Sequence, residues 1–232
     1  ALTIYCGEFE GLEIYADSLL DYLGDLGFEG EAQRYQRRYT NYAGCSFLAR
    51  PKAKTSPMHC RLELSGAACQ AIPIETIQRI FNLAAGRGLR IKATRLDLRI
   101  DNCPFSPLAI AGLIQEGKAR TYATRSTLKT YSQPLEEGDT GEIGTSGMYL
   151  GSRQSERFMR IYDKRGFTRL ELECKGVTAD GYLQALLANT EKMPDIIMGL
   201  ILDFIDIDAD CWRDFKGNMR RAYMKIQRDQ DK

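Results

Sequence analysis

Residues 147–176 read Gly147-Met-Tyr-Leu-Gly-Ser-Arg-Gln-Ser-Glu-Arg-Phe-Met-Arg-Ile-Tyr-Asp-Lys-Arg-Gly-Phe-Thr-Arg-Leu-Glu-Leu-Glu-Cys-Lys-Gly176. Polar residues and glycine interrupt the run at Gly151–Glu156 and again at Arg165–Gly166, which predicts a three-strand meander. Alternation then sorts the side chains. Arg160, Tyr162 and Lys164 share one face of the middle strand, and Met159, Ile161 and Asp163 share the other. On the third strand Arg169, Glu171, Glu173 and Lys175 oppose Leu170, Leu172 and Cys174. One face of two adjacent strands thus gathers a tyrosine, two carboxylates and four cations.

A solvated sheet face is also charged, and cross-strand pairs of Glu with Lys or Arg are common and weakly favourable. Two carboxylates spaced i, i+2 beside an Arg-x-Tyr-x-Lys strand nevertheless crowd like charges. A divalent metal together with a phosphate would satisfy both signs. The pattern therefore carries two readings, a solvated face or a site for phosphate chemistry.

The chain has 232 residues, 44% of them apolar and 27% charged, the profile of an ordinary globular protein of one large or two small domains. A formal charge of +1 gives no global attraction to polyanions, so any contact with nucleic acid must come from a local basic patch. Seven scattered cysteines, an odd number without a Cys-x-x-Cys pair, suit neither a disulfide framework nor structural zinc well, and point to buried thiols in a reducing cytoplasm. The single histidine, His59, excludes His-rich metal sites. A catalytic metal would be held by carboxylates, which suits Mg²⁺ or Mn²⁺. No apolar run reaches the ~20 residues that cross a bilayer, and no basic-then-apolar leader opens the sequence.

Along the chain, the patterns predict a strand at Leu2–Cys6 and an amphipathic helix at Ala16–Leu26 with Gly27 at its end. A basic, aromatic strand follows at Ala32–Tyr42. Its Arg34, Arg37 and Arg38, with Lys52 and Lys54 of the exposed loop Pro51–Pro57, are candidate phosphate contacts. An edge strand kept soluble by arginines is the plainer reading of the same residues. Further strands are expected at Cys45–Arg50, Cys60–Gly66, Thr94–Asp101 and Thr121–Tyr131. Helices are expected at Pro73–Gly86, Ser106–Gly117, Ala179–Ala188, Asp195–Ile207 and Cys211–Met224, the fourth of them apolar almost all round.

The order strand, helix, several strands, helix occurs twice, over residues 2–87 and again from 93 to about 190. Arg61-Leu62-Glu63-Leu64 and Arg169-Leu170-Glu171-Leu172 stand at matching places. This predicts an α+β fold of duplicated antiparallel-sheet units backed by helices, forming a curved, saddle-like sheet. The expected division is a first half at 1–90, carrying the basic DNA-contact strand, and a second at 91–232, carrying the tyrosine and the C-terminal helices.

Four segments together resemble the replication initiation factor family. They are Thr94–Asp101, the Leu-Gly-Ser-Arg-x-Ser-x-Arg-Phe-x-Arg-Ile-Tyr-Asp-Lys run of Leu150–Lys164, Arg169-Leu170-Glu171-Leu172-Glu173 and Trp212-Arg213-Asp214-Phe215. The family contains the Rep_trans-type rolling-circle initiators of plasmids and filamentous phages and the related relaxases of integrative conjugative elements. The resemblance implies a nickase and strand transferase whose nucleophile is Tyr162. That residue would attack an origin phosphodiester, leaving a 5′-phosphotyrosine link and a 3′-hydroxyl. Arg160 and Lys164 flank it, and cations on the same face favour the phenolate. Asp97 and Glu171, with Glu173 third, are the expected ligands of Mg²⁺ or Mn²⁺. Asp97 also has a plainer role as partner of Arg95 or Arg99.

Arg153 and Arg157 of the same run join the candidate DNA contacts. Single-stranded or hairpin origin DNA is the implied partner, with a helicase and a homodimer left open, and Tyr149, Tyr131 and Tyr122 are rival tyrosines. A conjugative relaxase is the alternative within the same chemistry. A saddle-shaped DNA-binding protein without enzymatic activity is the alternative outside it, and it would want an apolar or stacking face rather than acids around a tyrosine.

Overall fold

The computed structural model describes residues 2–6, 27–30, 34–40, 44–52, 60–88, 91–132, 146–164 and 166–219. The helix expected at Ala16–Leu26, together with Lys54, His59 and the end of the last helix, lies outside them. In chain order the strands are β1 (Leu2–Cys6), β2 (Gly27–Gly30), β3 (Tyr35–Thr40), β4 (Cys45–Pro51) and β5 (Cys60–Leu64), followed by helices α1 (Gly66–Ala71) and α2 (Ile74–Gly86). Then come β6 (Ile91–Ile100), α3 (Pro107–Gln115), β7 (Ala119–Thr121), β8 (Lys129–Ser132), β9 (Ser146–Leu150), β10 (Arg157–Lys164) and β11 (Phe167–Lys175). The described chain closes with α4 (Gly176–Ala188), α5 (Met193–Phe204), β12 (Ile205–Ile207) and α6 over 210–219.

Two compact units result, Ala1–Leu96 with Lys175–Thr190 and Asp97–Cys174 with Glu191–Lys232. The boundary falls inside β6, and α4 belongs to the first unit, whereas the sequence pattern put the cut at residue 90. In the first unit the strand order is β2-β3-β4-β5-β1-β6, with antiparallel neighbours. β5 shows the period-two pattern that places it. Cys60, Leu62 and Leu64 are buried while Arg61 and Glu63 are half-buried. Ile77, Ile80, Phe81 and Ala84 form the buried stripe of α2 at helical spacing. Gln78 of α2 donates to the Leu187 carbonyl at 2.8 Å, and Asp180 of α4 accepts from the Ala93 amide at 2.7 Å. Both helices are thus tied within the unit by side chain to backbone bonds as well as by apolar burial.

The second unit orders its strands β6-β11-β10-β9-β8, and β7 pairs separately with β12. Between β10 and β11, Gly166 takes φ of +89°, which a side chain would strain. Met148, Leu150, Met159, Ile161, Leu170 and Leu172 are fully buried, with Ile110 and Ile114 of α3 equally so. Trp212 and Phe215 of α6 close on Phe105, at ring separations of 5.5 and 5.3 Å.

Two expectations are corrected here. Thr121–Tyr131 is not one strand. Thr121 Oγ1 donates to the Ala123 carbonyl and Thr127 Oγ1 to that of Thr124, both at 2.6 Å, and these local bonds displace the ladder between β7 and β8. Nor is Asp195–Ile207 a helix apolar all round. α5 buries only Met198, Ile201 and Phe204, and Ile205-Asp206-Ile207 leaves the helix to pair with β7. β2, which the sequence pattern passed over, begins at the glycine expected to end a helix.

The duplication holds in topology. β2-β3-β4-β5-β1 in the first unit and β8-β9-β10-β11-β6 in the second are the same order built twice. Arg61-Leu62-Glu63-Leu64 lies in β5 and Arg169-Leu170-Glu171-Leu172 in its counterpart β11. Even the register agrees, because Leu48 opposes Arg61 as Tyr162 opposes Arg169.

Candidate active site

β10 and β11 pair so that Arg160 faces Glu171 and Tyr162 faces Arg169. The Tyr162 hydroxyl donates to Glu171 Oε1 at 2.8 Å. Arg160 Nη2 stands 2.6 Å from Glu171 Oε2, and Arg169 Nη1 stands 3.7 Å from Oε1. Arg169 also holds Asp101 with a two-point fork, Nε to Oδ1 at 2.5 Å and Nη2 to Oδ2 at 2.8 Å. Its side chain is only 7% exposed, so this face is not the solvated charge cluster that the alternation also allowed. A buried guanidinium is tolerated because its donors are met by two carboxylates.

The phenol of Tyr162 is pushed above its ordinary value of 10, first by burial, then by the bond to Glu171 and that residue's charge, with Arg169 pulling the other way. At neutral pH the hydroxyl is therefore protonated and its proton already points at a carboxylate. Arg160 has one further property. Its Nε is buried and, among the described residues, has no hydrogen-bond partner. Lys164, half-buried on the same strand, is close enough to lower the Asp101 carboxyl, whose main depressant is the bond to Arg169.

The expected metal ligands are not assembled as a cage. β6 lies beside β11, and β11 beside β10. Glu171, however, is taken by a phenol and two guanidiniums, while Asp97 and Glu173 bear instead on the buried Cys174 thiol, which burial pushes up to about 12. Glu173 is itself 8% exposed. Among the described residues no trio of His, Cys, Asp and Glu comes together. As these side chains stand, Glu171 would offer a divalent ion a carboxylate already shared with the phenol and Arg160.

The candidate DNA contacts divide. Arg34 and Lys52 are exposed, and the Lys52 amide donates to the Arg34 carbonyl at 2.9 Å, which brings two cations to one end of the β3–β4 hairpin. Arg38 is exposed with Nη2 3.5 Å from Ser46 Oγ, while the side chain of Arg37 and all of Lys54 lie outside the described residues. Arg153 is exposed on the turn before β10. Arg157 is engaged inside its own unit, paired with Asp203 and lying 3.6 Å over the Tyr122 ring. The fork of Arg169 on Asp101 escaped the sequence reading. Its only trace there was that both residues sit on charged faces of alternating strands.

A solved structure described as the rolling circle replication initiator protein from Geobacillus stearothermophilus superposes on this chain with a TM-score of 0.73, covering 94% of each chain at 15% identity. The chain has the fold of that initiator. No protein-family model matches the sequence, and neither does any curated protein. Within the initiator fold, this chain differentiates its two halves at one position. The first half keeps an Arg61–Glu63 ion pair but has buried Leu48 where the second half has Tyr162. The phenol, and the donor array around it, belong to the second half.

The Arg169 fork should also carry stability. Arg169→Ala is expected to cost about 2–3 kcal/mol in urea denaturation, below the ~3–5 kcal/mol of a fully buried pair because Asp101 keeps 31% side-chain exposure. The bond depresses the Asp101 pKa below 3.8, so this contribution is complete above that pH and fades as pH falls through the lowered value. The gap between wild type and variant should narrow accordingly in acid.

Proposed function

We propose that this chain is a site-specific DNA nicking and strand-transfer protein that initiates rolling-circle replication, with Tyr162 as nucleophile. The observation that carries the reading is the Tyr162 hydroxyl aimed at Glu171 within an arginine-lined site, in a fold shared with a rolling-circle initiator. The phenol oxygen attacks the scissile phosphorus, its proton passes to Glu171, the bond from phosphorus to the 3′-oxygen breaks, and that oxygen leaves as a hydroxyl after taking a proton from solvent. The enzyme keeps a 5′-phosphotyrosine ester. Its free energy is close to that of the bond broken, so re-joining by a 3′-hydroxyl needs no ATP.

Arg160, paired with Glu171 beside the phenol, and Lys164 supply positive charge on the face that would receive the phosphoryl oxygens. Glu171 thereby takes the role of proton acceptor, one that its bonds already prefigure. Origin DNA is the substrate, and Arg34, Arg38 and Lys52 on the first unit are its proposed backbone contacts, with Arg153 on the second. Arg37 and Lys54 extend the same strand and loop in sequence.

Incubation with supercoiled origin DNA and Mg²⁺ or Mn²⁺ tests the reaction. Open-circular product and a protein–DNA band that resists detergent support it, whereas binding without either product replaces it with a DNA-binding module. For the backbone contacts, an Arg34→Gln, Lys52→Gln double variant should bind DNA more weakly. Its log–log salt slope should be shallower by about 1–2, at ~0.9 for each phosphate no longer neutralised.

A further inference from the structure

The row that carries Tyr162 continues across two more strands. Tyr131 opposes Gly147 between β8 and β9, and Gly147 opposes Tyr162 between β9 and β10. Directly paired positions share a face, and at ~4.8 Å per strand the backbones of Tyr131 and Tyr162 are about 10 Å apart. The glycine between them leaves a slot that the Tyr131 ring fills. A Cβ on Gly147 would stand 2.3 Å from the Tyr131 hydroxyl oxygen and 2.4 Å from Cζ. Tyr131 stacks on Tyr149 at 5.3 Å and 27°, and Tyr149 on Phe158 at 5.7 Å and 24°. The Arg153 guanidinium lies 5.7 Å from the Tyr149 ring centre and 5.8 Å from that of Phe158.

An aromatic cluster that serves only the core closes over itself, as Phe105, Trp212 and Phe215 do at 7%, 0% and 2% exposure. Tyr131 and Tyr149 stay half-buried, with exposed Lys129 opposite Tyr149 in register. β8 is the last strand of its order, so among the described residues no strand lies beyond the outer face of Tyr131. Burial and the bond to Tyr149 push the Tyr131 phenol up to about 12, which keeps it neutral next to a polyanion. Rings beside cations, on the face that carries a phosphate-attacking tyrosine, match what unpaired bases and their backbone require.

We propose that Tyr131, Tyr149 and Arg153 form a stacking subsite for a nucleobase flanking the scissile phosphate. This rests on the nicking reading of Tyr162. Stacking is tolerant of base identity, because every base has a π-face. The subsite therefore holds a base by its face rather than by its identity.

The test uses the full chain carrying Tyr162→Phe, so that no covalent product forms. Fluorescence anisotropy follows a labelled oligothymidylate of about 12 nucleotides and the same strand with abasic central positions. Adding Tyr131→Leu should weaken binding of the intact strand about 5- to 100-fold and leave the abasic strand unchanged. Tyr131→Phe should stay within about twofold of its parent. Arg153→Ala, at an exposed position, should weaken the intact strand about 3- to 10-fold more than the abasic strand, the part common to both being its backbone contact. Equal weakening on both strands, or no weakening on either, overturns the subsite. The nicking assay on the unmodified chain reads the underlying reaction separately. Base-dependent binding by a chain that never nicks removes the reaction and keeps the subsite, and nicking without base dependence removes the subsite alone.

Discussion

Tyr162→Phe is expected to abolish the covalent protein–DNA band and to lower nicking by about 10⁴-fold or more, because the ring remains while the attacking oxygen is gone. Little else should change. The substitution removes the 2.8 Å contact to Glu171, worth about 1 kcal/mol, and the contact with Arg169, and leaves that carboxylate against Arg160 and Arg169. DNA affinity and melting temperature should stay close to wild type. A phenylalanine variant that nicks as fast as wild type would make Tyr162 a packing residue and pass the chemistry to another tyrosine or to activated water.

The second large effect falls on Glu171. Glu171→Gln keeps the size of the side chain but removes the proton acceptor, so nicking should drop by about 10²- to 10⁴-fold. Its pH dependence is the sharper signature. The raised pKa of Tyr162 means that the phenol holds its proton through neutral and mildly alkaline pH. In the wild-type chain Glu171 takes that proton during attack, and the nicking rate should be nearly flat between about pH 7 and 9. Without the carboxylate only phenolate formed beforehand can attack, and its fraction grows tenfold per pH unit below the pKa. The variant's rate should therefore climb about tenfold per unit over the same range. A flat profile in both proteins would leave Glu171 as a residue that merely positions the ring.

Much of this architecture is legible in the sequence because it depends on local rules. The period-two pattern of Arg157–Lys164 and Phe167–Lys175, with Gly166 between, fixes two strands, their turn and the common face of Arg160, Tyr162, Glu171 and Arg169. The repeat of Arg-Leu-Glu-Leu likewise marks matching strands of a duplicated unit. What the sequence withholds depends on distance across strands. Asp101 and Arg169 are 68 positions apart, and nothing local says that one clamps the other. Glu171 carries the charge and alternation of a metal ligand, and only the cross-strand bonds from Arg160 and Tyr162 show its oxygens already engaged. Tyr131 is in the same case, because its reach over Gly147 follows from the register of two strand pairs. Ile205–Ile207 went astray for the opposite reason. An apolar run of that length suits helix and strand alike, and the pairing with β7 decides between them.

The proposed reaction leaves a phosphorus–oxygen bond on one named side chain, and peptide mapping reads that bond directly. The covalent complex formed on origin DNA would be digested with nuclease and protease, and the nucleotide-bearing peptide identified by mass spectrometry. The adduct is expected on Tyr162, within the peptide that follows Arg160. An adduct on Tyr131, Tyr149 or Tyr122, or nicked DNA with no modified tyrosine at all, would contradict it.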